Sequence, residues 1–238
     1  MLNEMIAPAT LPPGLRVYAV GDVHGCDGRL AALHEAIARD AADRLPVPRT
    51  VLIHLGDYVD RGPESAAVIE RLLGPSPLPG AEVVNLLGNH EVMMLDAFDP
   101  RSAAGAIGFW LDNGGEATLA SYGATPEDAD SWDLVPQAHL DFLGRCELSR
   151  SAGGYLFVHA GVRPGVALEH QDPFDLVWIR EPFLAFRGDL GAVVVHGHTP
   201  CPRPEVLPHR IGIDTGAVFG GALTCLVLEG RRMGFLTA

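Results

Sequence analysis

Five times in this chain of 238 residues an apolar run meets a carboxylate, an amide or an imidazole, usually beside glycine. The endings are AVGDVHG (19–25), LGDYVDRG (55–62), LLGNHE (86–91), FVHAG (157–161) and VVHGHTP (194–200). Short apolar runs bounded by turn residues read as buried strands. In an open α/β sheet, ligands gather beyond the carboxyl ends of the strands. One crevice would then receive Asp22, His24, Asp57, Asp60, Asn89, His90, His159, His196 and His198. Those donors are oxygen and imidazole without thiolate, a set that suits Mn, Fe or Zn rather than a structural thiolate zinc site. Asp22 and His24 lie two apart, as do His196 and His198, so in extended chain each pair points to one side.

Helical spacing fills the gaps. Residues 27–44 carry Leu30, Leu33, Ile37 and Ala41 near a helical period. Residues 63–74 open on Pro63 and close on Gly74, the usual polarity of a helix. A third helix starts within HEVMMLDAF. Alternating strands and helices over the first ninety residues predict an α/β fold. From about 100 to 150 the text changes to amphipathic helical segments, read as an insertion that shapes a cleft. The tail after His209 reads as three short strands with Gly-rich or charged turns, which favours antiparallel pairing. With no internal repeat and no long linker, residues 1–238 form one expected domain.

Composition removes several classes. The formal net charge is −13, whereas a nucleic-acid footprint needs a basic face and an anionic membrane attracts basic segments. Bound divalent cations would offset part of that charge locally. There is no Lys, so any phosphate must be held by Arg, whose planar fork binds phosphate through two hydrogen bonds. The four Cys stand at 26, 146, 201 and 225 without a CxxC pair. They form neither a zinc ribbon nor a small disulfide scaffold, and a reduced cytoplasmic setting is expected. The first residues show no basic, then apolar leader, and no apolar run reaches the roughly 18 residues of a membrane helix.

The five motifs, in order from residue 21 to about 216, resemble the metallophosphoesterase family. More narrowly they are similar to the small bacterial form of the PPP-type serine/threonine protein phosphatases. The resemblance implies a four-layer α/β/β/α sandwich with two mixed β-sheets and a dinuclear metal site at the strand ends. It implies two divalent ions, Mn first, with Fe or Zn as alternatives. Asp22 and His24 would hold one ion, Asn89, His159 and His198 the other, and Asp57 would bridge them. A hydroxide between the ions would attack phosphorus in line, with no phosphoenzyme. Asp60 would orient His90 as general acid, and Arg61 would grip the phosphoryl oxygens. For the family's second phosphate-binding Arg we choose Arg180 in LVWIREP over Arg163 in HAGVRPG. His196 departs from the pattern and either supports a ligand or faces substrate; Asp214 could hydrogen-bond a ligand imidazole.

The function so implied is phosphomonoester hydrolysis on phosphoserine or phosphothreonine proteins, with phosphotyrosine and small phosphorylated substrates open. The alternative is a nucleotide hydrolase like the symmetrical dinucleoside tetraphosphatases. The bacterial members of that group carry Ala at the place of Asp60 and GNHD for GNHE, so Asp60 and Glu91 favour the protein-phosphatase branch. A metal-binding scaffold without catalysis would show a broken constellation and ranks third. Single residues have plainer readings. Two Asp near a turn are ordinary turn formers, and only the five motifs together outweigh that. His54, within VLIHL, reads as structural; His34, His139, His170 and His209 read as surface or packing residues, and Cys26, Met93 and Met94 as packing.

Overall fold

The structure is a computed structural model that describes residues 4–238. In chain order its strands are β1 (Met5–Ile6), β2 (Leu15–Val20), β3 (Arg49–His54), β4 (Glu82–Asn85), β5 (Ser149–Ala152), β6 (Tyr155–Val158), β7 (Val193–His196), β8 (Glu205–Val206), β9 (Arg210–Gly212), β10 (Thr224–Glu229) and β11 (Arg232–Thr237). The α-helices are α1 (Asp27–Asp43), α2 (Ser65–Leu73), α3 (Asn89–Phe98), α4 (Ala106–Trp110), α5 (Glu116–Ser121), α6 (Gln137–Leu143) and α7 (Pro173–Trp178). Two mixed sheets result, ordered β1-β11-β10-β2-β3-β4 and β5-β6-β7-β9-β8.

Period-two alternation explains the layering. Along β2, Tyr18 and Val20 turn toward the helices and join Leu30, Leu33 and Ile37 of α1 and Val68 and Ile69 of α2. Val17 and Ala19 turn the other way, into a core between the sheets with Val51, Ile53, Tyr155, Phe157, Val195 and Ile211. A third cluster covers the far face of the second sheet with Leu176, Ile179 and Phe183 on Leu156, Val158 and Val194. The outer layer there is thin, because α7 has six residues and loops do the rest. The four-layer α/β/β/α sandwich is therefore observed.

Several sequence expectations shift. The tail is not three antiparallel strands. β10 and β11 form a hairpin, but β9 lies in the other sheet, parallel to β7. A three-residue run such as RIG carries no periodicity that could reveal its neighbour. The β5–β6 hairpin was not expected at all, since SRSA looks like loop. His54 is the last residue of β3 rather than interior, yet it faces α1, where His34 Nε2 lies 3.0 Å from its Nε2. Residues 100–150 hold α4 to α6, with α4 against α3 and α5 and α6 against α2. No described helix is long and apolar enough to cross a membrane.

Candidate active site

The loops after five parallel-running strands supply the site. β2 leads to Asp22 and His24, β3 to Asp57 and Asp60, β4 to Asn89 and His90, β6 to His159 and β7 to His198. The first three strands belong to one sheet and the last two to the other, so the cluster straddles the seam. Asp22, His24, Asp57, Asp60, Asn89, His90, His159 and His198 are all buried, while Arg61 and Arg180 at the rim are exposed.

These loops bend sharply. His24, Asp57, Asp60, Arg61 and His198 have φ of 45°, 52°, 71°, 70° and 64°, and they are the only such non-glycine residues among those described. L-residues rarely enter this region. The bend changes the extended-chain expectation: the positive φ at His24 and at His198 breaks the simple two-residue alternation in each pair. His196 Nδ1–H donates to the Gly197 carbonyl (3.0 Å), and its Nε2 accepts from Arg210 (3.3 Å). It thus supports the loop that carries His198. Two glycines are required by close approach. A Cβ on Gly197 would overlap Asp22 Oδ1, and one on Gly88 would overlap the backbone and carboxylate of Asp57.

The donor orientations fit cations. His24 Nδ1 lies 2.9 Å from the Val59 carbonyl, and His159 Nδ1 lies 2.9 Å from that of Leu55. A carbonyl only accepts, so both Nδ1 atoms donate, and in the neutral form each ring turns a lone pair outward at Nε2. Those lone pairs face Asp57 oxygens at 3.3 Å on either side, and His159 Nε2 also meets Asn89 Oδ1 at 3.0 Å. Acceptor facing acceptor is the arrangement a metal ion resolves, with the carbonyl bond fixing the ring. Two triplets have ligand atoms within 4.8 Å of one another: His24, Asp57, His90 and Asp57, His159, His198. Asp57 is common to both. Two further buried atoms, Asp22 Oδ1 and His198 Nε2, have no hydrogen-bond partner among the described residues.

Electrostatics point the same way. Burial raises the Asp57 carboxyl; positive charge on His159, His90 and His24 outweighs it and holds it well below the usual carboxylate range, and bound cations would supply charge of the same sign with the rings neutral. Burial, then the charges of Asp214 and Asp57, push Asp22 well above that range. Positive charge is what would let all these carboxylates ionise together. Burial drives His198 down to about 3, which keeps its imidazole neutral and able to ligate.

Geometry separates the two Arg candidates. Arg163 is clamped to Asp175 by two 2.6 Å bonds, whereas the Arg180 guanidinium reaches the His198 carbonyl at 3.4 Å. Arg61 donates to His24 Nε2 at 2.8 Å, so it must let go of that atom if His24 is to ligate. Asp214 accepts from the Gly216 N–H at 2.9 Å, and no imidazole bond to it is found among the described residues.

Glu91 was singled out in the sequence without a structural role. Its fully buried carboxylate accepts backbone N–H groups from Asp57 (2.7 Å), Tyr58 (2.7 Å), Val59 (3.3 Å) and Gly88 (2.9 Å). It stitches the LGDYVDRG turn to the start of α3. Burial and the Asp57 charge push its carboxyl up to about 8, against the pull of those donors. Facing backbone, Glu91 is not placed to choose a substrate. Glu91→Ala would strand four buried donors and is expected to cost about 3–5 kcal/mol. Urea denaturation checks this, and a loss under about 1 kcal/mol would refute the role. Trp110 and Thr118 were missed entirely: both bond to Asp60, and the only hint in their stretch was the Gly pair of DNGGEAT.

A two-sheet sandwich with a buried nitrogen–oxygen cluster at its strand ends defines a metal-dependent phosphoesterase. The chain belongs to the calcineurin-like phosphoesterase family, whose sequence model matches residues 15–220. It is 31% identical to serine/threonine-protein phosphatase 1 of Salmonella typhimurium, over 87% of this chain and 89% of that one. It is also 29% identical to the asymmetrical bis(5'-nucleosyl)-tetraphosphatase PrpE of Bacillus thuringiensis, over 87% and 88%. Among solved structures, a cold-active protein-tyrosine phosphatase of a psychrophilic Shewanella superposes with a TM-score of 0.61 at 16% identity, covering 96% of this chain and 83% of that one. That last likeness shows the fold.

Proposed function

We propose that this chain is a phosphomonoesterase acting on phosphoserine and phosphothreonine in proteins, using two divalent ions, with manganese the preferred metal. One observation carries this reading: the buried pair in which His90 Nδ1 meets Asp60 Oδ2 at 2.7 Å, beside the metal-capable cluster. A serine or threonine alkoxide is a poor leaving group, and a positioned acid is what it needs.

Asp22 and His24 would hold one ion and Asn89, His159 and His198 the other, with Asp57 shared between them. Bound there, divalent ions supply an activated water and neutralise phosphoryl charge. The remaining work falls to side chains. Arg61 and Arg180, exposed at the rim, clamp phosphoryl oxygens through their guanidinium forks. Asp60 holds the His90 Nδ1 proton, so Nε2 is the atom that passes a proton to the leaving oxygen. The four cysteines are free, which agrees with a cytoplasmic setting.

A second reading has its own support, because relatives of similar identity are named bis(5'-nucleosyl)-tetraphosphatases. There the leaving group is a nucleotide phosphate, which needs a proton less. The test is hydrolysis in Mn²⁺ of a phosphoserine peptide, a phosphotyrosine peptide and diadenosine tetraphosphate, compared by kcat/KM. Preference for the phosphoserine peptide is expected; preference for the dinucleotide would overturn the protein-phosphatase reading and recast the cleft as a nucleotide site.

A further inference from the structure

The Asp60 carboxylate has more partners than His90. Trp110 Nε1–H is shared between its oxygens at 2.9 and 3.0 Å. The Thr118 hydroxyl donates to Oδ1 at 2.7 Å and accepts the Asp60 backbone N–H at 2.8 Å. Thr118 therefore grips this residue at both ends, leaving Oδ2 aimed at His90. All four residues are buried.

Trp110 and Thr118 both come from the helical insertion, at the end of α4 and within α5. The stretch between them is also fastened to the same turn. The Gly114 carbonyl accepts the Arg61 N–H at 3.1 Å. Gly114 has φ of 106°, and Gly115 has no Cβ where the Trp110 ring lies. Phe98 and Trp132 pack on the indole at 5.8 Å each, which fixes its edge. A rigid partner shell of this kind is what keeps a reacting group in its productive geometry.

We infer that Trp110 and Thr118 are positioning residues for proton delivery, and that the insertion acts as a brace that sets the Asp60–His90 pair. The inference rests on the phosphomonoesterase reading above. It assigns the insertion a part in turnover. A brace acting through Asp60 matters in proportion to how much proton the leaving oxygen needs. A merely structural contact would weaken turnover of every substrate alike.

The experiment compares Trp110→Phe, Thr118→Val and Thr118→Ser with the parent protein in Mn²⁺. The probes are phenyl phosphate, with a poor leaving group, and 2,4-dinitrophenyl phosphate, with a good one. For Trp110→Phe and Thr118→Val, kcat on phenyl phosphate is expected to fall about 10- to 100-fold, with KM, bound metal and dinitrophenyl phosphate turnover changing less than about twofold. Thr118→Ser, which keeps the hydroxyl, is expected to restore most of the loss. Equal loss on both esters, or loss on neither, would overturn the brace while leaving the phosphoesterase reading intact. A parent protein that hydrolyses neither ester would overturn that reading and the inference with it.

Discussion

Asp57→Asn is expected to lower kcat in Mn²⁺ by about 10⁴-fold or more and to reduce bound metal, measured by plasma emission spectrometry on the same sample. The carboxylate sits between two imidazole lone pairs, 3.3 Å from each. The amide would remove the charge and turn an NH₂ toward one of the positions that needs an acceptor. Positive charge beside it is what holds this carboxyl as the anion in spite of complete burial. It also accepts the His90 N–H at 3.1 Å, so circular dichroism is needed to show that the start of α3 survives. Full activity with two ions still bound would refute the bridging role.

His90→Asn is expected to keep both ions and slow turnover of a phosphoserine peptide by about 10²–10⁴-fold, the range for a lost general acid. The loss should shrink for 2,4-dinitrophenyl phosphate, whose leaving oxygen needs no proton. The metal measurement is decisive here. His90 also falls within ligand distance of His24 and Asp57, and its ring lies edge-on to His24 at 4.6 Å between centroids. If the substitution empties a metal position, His90 is a ligand and the acid must be sought elsewhere.

Much of this site could be read before any coordinates, because strand ends are local events. An apolar run that meets Asp, Asn or His, usually beside Gly, declares both the strand and what it delivers, and each of the five runs sends at least one residue to the cluster. What depended on distant parts of the chain was not legible. Asp60 meets Trp110 and Thr118 across 50 and 58 residues, and nothing in the spacing of GFWLDNGGEAT says which turn it will cover. Glu91 was visible as a letter, but its four backbone partners exist only once α3 docks on the turn after β3. Nor does the sequence show that Asp175, twelve residues on, pairs with Arg163. The expected antiparallel pairing of the tail strands failed at β9 for the same reason, since a strand of three residues takes its register from its neighbours.

The five left-handed residues carry a last consequence. A non-glycine residue in that region costs on the order of 1–3 kcal/mol, and here each such residue also contributes a side chain to the site or its rim. Glycine would sit there comfortably but would bring no imidazole, carboxylate or guanidinium. Selection for a sturdier molecule and selection for chemistry therefore press on the same five positions in opposite directions. Durability has to be sought in the inter-sheet core and under α1 and α2, where nothing is asked of a side chain except to fit.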